Sequence, residues 1–206
     1  GAMLEAMQER KVTIGGQNLK LPTPFLVIAT QNPVEQSGTF ELPEAQLDRF
    51  MLLHRLGYPG RDDEQMILQR QLGMGLRREG GGAVPRSAFD MIEDNPSASV
   101  EDLVTAMEAV QAVHVSEVIV KHCVELVRRT RESKLLDFGC SPRAGLALVN
   151  ASRARAVIHG RDFVTPEDLF NLAEDVVLHR IRVSYEASAA GHTGKQVLEG
   201  ILGSLG

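Results

Sequence analysis

"PFLVIATQNP", residues 24–33, is an apolar run that ends in polar residues and a proline. Every position from 25 to 29 is apolar, and two of them are β-branched, which is typical of a strand covered on both faces in a parallel sheet. Polar residues at the carboxyl end of such a strand lie where open α/β sheets bind ligands. The stretch therefore predicts one buried strand at 25–29 and marks Asn32 as a candidate site residue, with a plain Asn-Pro turn as the alternative.

The segment before this strand indicates a helix end followed by a hairpin. Residues 5–10 continue a helical pattern, and KVTIGGQNLKLP, residues 11–22, alternates around a Gly-Gly-Gln-Asn turn. Residues 1–3, Gly-Ala-Met, resemble the remnant of a protease cleavage site and are excluded from fold reasoning. A parallel strand needs neighbours joined by crossover helices, and the residues before 25 supply none. We therefore expect the chain to be part of a longer protein.

The chain after residue 59 is predicted to be helical. Capping residues, prolines at first helical positions and apolar spacing mark the helices. The predicted spans are 61–72, 99–113, 117–132, 141–160 and a helix that begins after Thr165. A strand at VHVSEVIV, residues 113–120, stays open as an alternative. Residues 73–85 contain a glycine run and are predicted to form a flexible loop, and no further strand is expected.

Composition narrows the classes of function. The 206 residues are 43% apolar, enough for a core, and the net charge of −5 argues against a general nucleic-acid surface. The two cysteines form no CxxC pair and the histidines form no zinc motif, so no metal site is predicted and a cytoplasmic location is expected. No apolar run approaches the roughly 20 residues of a transmembrane helix. GHTGKQ, residues 191–196, lacks two key P-loop residues and is predicted to be a tail loop.

Two arginines are candidates for phosphate chemistry. In LPEAQLDRF, residues 42–50, Arg49 is either a surface side chain with a packed stem or a guanidinium presented to a neighbouring subunit's nucleotide. Arg143 stands in the first turn of a predicted helix, where a cation is unfavourable unless an anion lies nearby. A phosphate or an acidic side chain would explain it. In this chain by itself, we expect Arg49 to be solvated or paired with Glu44 or Asp48.

Six stretches occur in an order that resembles the MoxR family of AAA+ ATPases. They are LEAMQER, the 11–22 hairpin, PFLVIATQNPVEQSGTFELPEAQLDRF, YPGRDDEQMIL, SPRAGLALV and GRDFVTPEDL. The resemblance implies a mostly α chain. Residues 4–57 would be the C-terminal remnant of an α/β nucleotide-binding core, with a hairpin and one buried strand, and residues 58–206 an α-helical lid bundle. It also implies three roles: Asn32 as sensor 1, Arg49 as the arginine finger, and Arg143 as sensor 2, with Asn32 and Arg143 binding the nucleotide.

The resemblance further implies an ATPase in the intact protein. ATP and Mg²⁺ would be its cofactors, in a ring expected to be a hexamer. Client proteins would be remodelled in a chaperone-like way or receive a metal cofactor, and proteins with a von Willebrand A domain are implied partners. The Walker A lysine and Walker B acids of the family precede the equivalent of Glu5. This chain is therefore expected to be inactive alone, with no ATP or Mg²⁺ bound.

Two other classes of function stay open. The chain could be a nucleotide-independent helical protein-interaction module, or part of an AAA+ relative that remodels DNA or acts as a chelatase subunit. The hairpin carries Lys11 and Lys20 but no aromatic residue on which a base could stack. This weighs against a nucleic-acid partner.

Overall fold

The structure is a computed structural model of the chain and describes residues 2–32 and 44–205. Residues 33–43, which belong to the family-like stretch, and the side chain of Glu44 lie outside the described residues. By its internal contacts the chain forms two compact units. One comprises residues 1–54 with 106–206, and the other comprises residues 55–105.

The first unit begins with a helix and a hairpin. Helix α1 (Ala2–Glu9) leads into strands β1 (Lys11–Ile14) and β2 (Gln17–Lys20), which pair antiparallel. Gly15 and Gly16 at the turn have φ angles of 58° and 78°. Side chains disfavour this left-handed region, so the Gly-Gly pair is what closes the turn. The predicted helix end and hairpin are confirmed.

The strand predicted at 25–29 is absent. Residues 21–32 contain no helix or strand, and the side chains of Leu26 and Ile28 are 77% and 80% exposed. A strand persists only when a neighbour satisfies its backbone groups and other elements cover its apolar faces. Among the described residues β1 and β2 pair only with each other, so no strand lies beside this segment. The expectation of a buried strand is therefore wrong for this chain, and the next element is the short helix α2 (Glu44–Leu47).

The second unit contains helices and a further hairpin. Its elements are α3 (Arg61–Leu72), β3 (Leu76–Glu79), β4 (Gly82–Pro85), α4 (Ala88–Asp94) and the start of α5 (Val100–Gln111). Acidic residues fill the first turn of α3, where the helix dipole favours them. The two predicted helices in this region, 61–72 and 99–113, are confirmed to within two residues at each end.

Residues 73–85 fold into a hairpin, which corrects the prediction of a flexible loop. Leu76 pairs with Pro85, and Glu79 pairs with Gly82. Between them Gly80 has a φ of 55° and Gly81 a φ of 83°. Two consecutive residues with positive φ give the turn that matches the twist of a tight hairpin. The glycine run thus closes a turn.

The remaining helices form the core of the first unit. They are α6 (Glu117–Glu132), α7 (Pro142–Ile158), α8 (Pro166–Val177), a 3-10 turn (Leu178–Arg180), α9 (Tyr185–Ala189) and α10 (Gly194–Ser204). Helices α6, α7, α8 and α10 each contribute one fully buried leucine, namely Leu126, Leu148, Leu169 and Leu198. Burial of each such side chain stabilises the fold by about 1.5–3 kcal/mol. The core therefore holds these four helices together.

The helix starts follow the capping residues of the sequence. The hydroxyl of Ser141 accepts from the backbone N–H of Arg143, and Thr165 forms a capping box with Asp168. Because Ser116 caps α6 in the same way, the strand alternative at 113–120 is wrong apart from a single bridge at His114.

Two expectations for the last third of the chain need correction. Strands β5 (Leu136–Phe138) and β6 (Arg182–Val183) form a small antiparallel sheet where no strand was expected. They are too short to show an alternating pattern in the sequence. Within residues 191–196, Thr193 caps α10 through a capping box with Gln196, so the predicted tail loop includes a helix start. In the described part of the chain, no helix is both long enough and apolar enough to cross a membrane.

Candidate functional site

Asp48 lies at the centre of the candidate site, in the turn after α2. Its side chain is 16% exposed. The hydroxyl of Ser141 donates to the carboxylate, at 3.2 Å from Oδ1 and 3.0 Å from Oδ2. The guanidinium of Arg180 lies 3.3 Å from Oδ1, and that of Arg143 lies 3.7 Å from Oδ2. One carboxylate therefore joins three segments: the turn after α2, the start of α7 and the 3-10 turn.

Arg180 fixes the backbone on both sides of Arg49. Its Nη2 donates to the carbonyl oxygen of Asp48 at 3.0 Å and to that of Phe50 at 2.8 Å. Nε2 of His179 also donates to the Phe50 carbonyl, at 2.9 Å, because a carbonyl oxygen can only accept. Burial lowers the pKa of Arg180 and the Asp48 carboxylate partly offsets this, but a guanidinium stays charged at ordinary pH. A buried cation thus holds the turn that carries Arg49.

A close backbone contact positions the start of α7. A Cβ on Gly139 would lie 2.6 Å from the carbonyl oxygen of Thr130, so only glycine fits there. The next residue, Cys140, donates its backbone N–H to Oγ1 of Thr130 at 3.0 Å, and that hydroxyl donates to the carbonyl of Val127 at 2.6 Å. These contacts tie the residue before Ser141 to the C-terminal part of α6. Thr130 therefore helps to fix the position of Ser141, the helix cap that donates to Asp48.

Arg49 and Arg143 line one cavity of about 420 Å³, and the other described residues that line it are Met7 and Gln8 of α1. Nε and Nη1 of Arg49 are buried and have no hydrogen-bond partner in the described part of the chain. A buried donor without an acceptor costs about 1–3 kcal/mol. The expected pair between Arg49 and Asp48 is absent, since other donors engage that carboxylate. Arg49 therefore lines the cavity and also carries two buried N–H groups that have no acceptor among the described residues.

The structure brings two of the three predicted site residues together. Arg49 and Arg143 share the cavity, whereas Asn32 is exposed and is not among the described residues that line it. Sequence reasoning missed Arg180, which is 3% exposed. Basic residues at the end of a helix usually complement its dipole, so Arg180 carried no separate signal.

A second carboxylate, Asp168 in α8, forms a contrasting cluster. Nη1 of Arg155 donates to Oδ1 at 2.6 Å, Nη1 of Arg161 to Oδ2 at 2.7 Å, and the backbone N–H of Thr165 to Oδ2 at 2.8 Å. The Asp168 side chain is fully buried. Burial opposes its ionisation, but the bonds from Arg161, Thr165 and Arg155 outweigh burial and hold the pKa of Asp168 well below its usual range. This cluster joins the end of α7 to the start of α8.

The described residues provide no metal site. Within residues 2–32 and 44–205, no group of three or more His, Cys, Asp or Glu side chains could hold a metal ion. Both cysteines are free and buried, and burial raises the pKa of Cys123 to about 11. A thiol with so high a pKa is a poor nucleophile at neutral pH. The chemistry of the candidate site therefore rests on its guanidinium groups.

Two family models match the chain. The ATPase family associated with various cellular activities (AAA) matches residues 1–52, and the AAA lid domain matches residues 128–201. Arg49 lies in the first match, and Arg143, Asp168 and Arg180 lie in the second. The cavity that Arg49 shares with Arg143 is thus lined from both matched regions.

Curated relatives and a solved structure resemble nearly the whole chain. YeaC of Bacillus subtilis, described as uncharacterised, is 36% identical over 99% of this chain and 59% of its own length. Chaperone MoxR1 of Mycobacterium tuberculosis is 38% identical over 91% of this chain and 48% of its own length. A crystal structure from Cytophaga hutchinsonii, described as a presumed ATPase, superposes with a TM-score of 0.82 at 36% identity, covering 97% of this chain and 59% of that one. The chain spans about half to three fifths of these relatives. It belongs to the MoxR family of AAA+ ATPases.

Proposed function

We propose that this chain supplies two arginines to a nucleotide phosphate in a MoxR-type ATPase, as part of a longer parent protein. The observation that carries the proposal is the cavity shared by Arg49 and Arg143. In addition, Nε and Nη1 of Arg49 are buried and have no partner among the described residues, so this guanidinium has unused donors. A guanidinium offers a planar fork of donors that matches phosphate oxygens. The residues present therefore fit an anion with several acceptor oxygens.

The parent protein would hydrolyse ATP, which supplies the γ-phosphoryl group that is transferred to water. Arg49 would donate hydrogen bonds to the phosphate oxygens on which negative charge builds up, and Arg143 would add a second positive charge beside it. Asn32 would orient the attacking water. The described residues include no carboxylate cluster for Mg²⁺, so the metal would be held by other parts of the parent.

The shared cavity also supports a proposal about which subunit each arginine serves. An arginine finger can be supplied in trans, and Arg49 would act in this way on the nucleotide of the adjacent subunit. Nη1 of Arg143 lies 3.7 Å from Oδ2 of Asp48, the residue that precedes Arg49. Two guanidinium groups that line one cavity can approach one phosphate group, so Arg143 would act on the same neighbouring nucleotide as Arg49. This would make both arginines trans-acting.

The cellular role is proposed from the family. MoxR1 is described as a chaperone, and by analogy the parent would remodel or mature client proteins, with insertion of a metal cofactor as one form of that work. A ring oligomer, expected to be a hexamer, is needed for trans-acting arginines. Client proteins with a von Willebrand A domain are part of the same proposal. A cytoplasmic location is supported by the two free cysteines.

The test is Arg49→Ala in the parent protein. We expect ATP to bind with unchanged affinity while kcat falls by about 10³- to 10⁵-fold, as for other trans-acting arginines. Mixing this variant with subunits that lack the Walker lysine but retain Arg49 should restore part of the turnover. Lys20→Ala, on the exposed hairpin, is the matched control and should leave kcat unchanged. Unchanged turnover in Arg49→Ala would refute the finger assignment.

A further inference from the structure

We infer that Arg180 and Asp48 form a clamp that positions the arginine finger, so that Arg180 acts on the reaction through Arg49. This inference rests on the proposed function. It concerns a buried residue that is not among the residues that line the cavity of Arg49 and Arg143. The clamp consists of the side chain of Arg180, the carboxylate of Asp48 and the carbonyl oxygens of Asp48 and Phe50.

Arg180 holds the backbone on both sides of Arg49. The Arg180 side chain is 2% exposed, and its Nη2 donates to the carbonyl oxygens of the residues on either side of Arg49. Those carbonyls belong to a turn in which the backbone N–H of Arg49 donates to the carbonyl of Gln46 at 3.2 Å. The peptide group between residues 48 and 49 is held by Arg180 at its carbonyl, and the next one, between Arg49 and Phe50, is held by the Phe50 N–H, which donates to the carbonyl of Leu47 at 3.0 Å. Arg180 also holds the carbonyl of Phe50, so it helps to fix the direction of the Arg49 Cα–Cβ bond.

The carboxylate of Asp48 offsets the charge of the buried Arg180. Asp48 lies 3.3 Å from Nε of Arg180 and also accepts from Ser141 and contacts Arg143. A change in the Arg180–Asp48 pair would therefore be felt at the turn that carries Arg49. Asp48 and Arg49 are adjacent in the chain, so a shift of Asp48 moves Arg49 directly.

A buried arginine is an unusual way to hold a turn. A turn needs only neutral hydrogen bonds, and burying a guanidinium for that purpose costs desolvation that the pair with Asp48 only partly returns. The guanidinium of Arg180, however, places Nη2 against two carbonyls and Nε 3.3 Å from the Asp48 carboxylate, whereas a lysine has a single ammonium and cannot hold both positions in one rigid plane. The residue type is thus suited to fixing an orientation, and orientation governs how well a finger meets a phosphate.

The test compares Arg180→Lys with Arg155→Lys in the parent protein. Both variants keep the charge and lose the fork, but Arg155 pairs with Asp168, and no hydrogen bond or ion pair joins it to residues 48–50 in the described structure. For Arg180→Lys we expect kcat to fall by about 10²-fold, the scale of a misplaced catalytic group, with KM for ATP within about twofold of the original. Arg155→Lys should lose stability and keep kcat within about twofold.

A double variant separates positioning from general destabilisation. If Arg180 acts only through Arg49, then Arg49→Ala with Arg180→Lys should turn over no more slowly than Arg49→Ala alone. Losses that multiply would overturn the clamp, as would an Arg180→Lys variant that folds and retains its kcat. Unchanged turnover in Arg49→Ala would instead overturn the proposed function, so the two failures are distinguishable.

A measurement on the 206-residue chain needs no activity and covers the case in which the parent variant folds poorly. Hydrogen exchange of the segment 44–54, followed by mass spectrometry, should accelerate by about tenfold or more in Arg180→Lys relative to Arg155→Lys, because only the first variant releases the turn. Asp48→Asn should show the same acceleration. Equal exchange of this segment in all three variants would contradict the inference.

Discussion

Asp168 and Asp48 each gather two arginines, yet the two clusters are built differently. Around Asp168 the carboxylate is fully buried, and bonds of 2.5 to 2.8 Å from Arg155, Arg161 and the Thr165 N–H engage both oxygens. Around Asp48 the carboxylate is 16% exposed and its arginine contacts are 3.3 and 3.7 Å long. A closed cluster holds helices together, and an open one leaves charge available for a ligand.

The open cluster also has donors to spare. Arg49 adds two buried N–H groups without an acceptor in the described residues, next to a carboxylate that other groups already engage. An apolar side chain at this position would be buried at a lower cost in free energy, because unpaired buried donors destabilise a fold. The contrast therefore identifies which of two similar-looking arginine clusters is the candidate site.

The largest effect on the free energy of unfolding should come from Asp168→Asn. Removing the charge leaves two arginines facing each other without a carboxylate, and breaking a buried pair in this way costs about 3–5 kcal/mol. Urea unfolding of the chain would measure the loss. Asp48→Asn should cost less, because Asp48 is partly exposed and its contacts are longer. An equal or larger loss of unfolding free energy in Asp48→Asn would contradict the distinction between closed and open clusters.

The free energy of unfolding at acid pH should also depend on Asp168. The effect should be smaller than that of the substitution, because protonation leaves the carboxyl group in place. The pKa of Asp168 is lowered in the fold, so its contribution is fully present above the unfolded value of about 3.9 and is lost as pH falls below it. We expect the free energy of unfolding to decline between pH 5 and 3 in the original chain. In Asp168→Asn the decline should be shallower, and parallel curves would contradict the assignment.

Gly139→Ala probes the support beneath the open cluster. The added Cβ would meet the Thr130 carbonyl at 2.6 Å, and overpacking of this kind costs about 1–3 kcal/mol. Gly200→Ala in α10 is the matched control, because its Cβ meets no atom within 4 Å and alanine favours a helix by about 1 kcal/mol. Thermal unfolding should move in opposite directions for the two variants. A neutral Gly139→Ala would mean that the start of α7 is held in another way.

Local features of the fold were predictable, and long-range ones were not. Ser141 and Thr165 predict the starts of α7 and α8, because a capping side chain bonds to backbone N–H groups only a few residues away. The strand at 25–29 was mispredicted because a strand depends on partners elsewhere in the chain. The Gly80-Gly81 turn of the second hairpin did carry a readable signal, a glycine pair at the positive φ angles of a tight turn.

The candidate site divides in the same way. Arg49 and Arg143 could be named from their motifs, and the structure adds that they share a cavity. Arg180 could not be singled out, since it reaches residues 48 and 50 from about 130 positions further along the chain. Sequence spacing alone gives no measure of such a contact.

The most direct test of the account asks whether Arg143 serves the neighbour's nucleotide. Acceptor subunits of the parent protein would carry Arg49→Ala with an intact Walker lysine and Arg143, and donor subunits would lack the Walker lysine and carry Arg143→Ala. Turnover of the mixture would be compared with that from donors that retain Arg143. If both arginines act on the adjacent nucleotide, donors without Arg143 should fail to restore hydrolysis. Full restoration would show that Arg143 acts within its own subunit and would contradict the shared phosphate site.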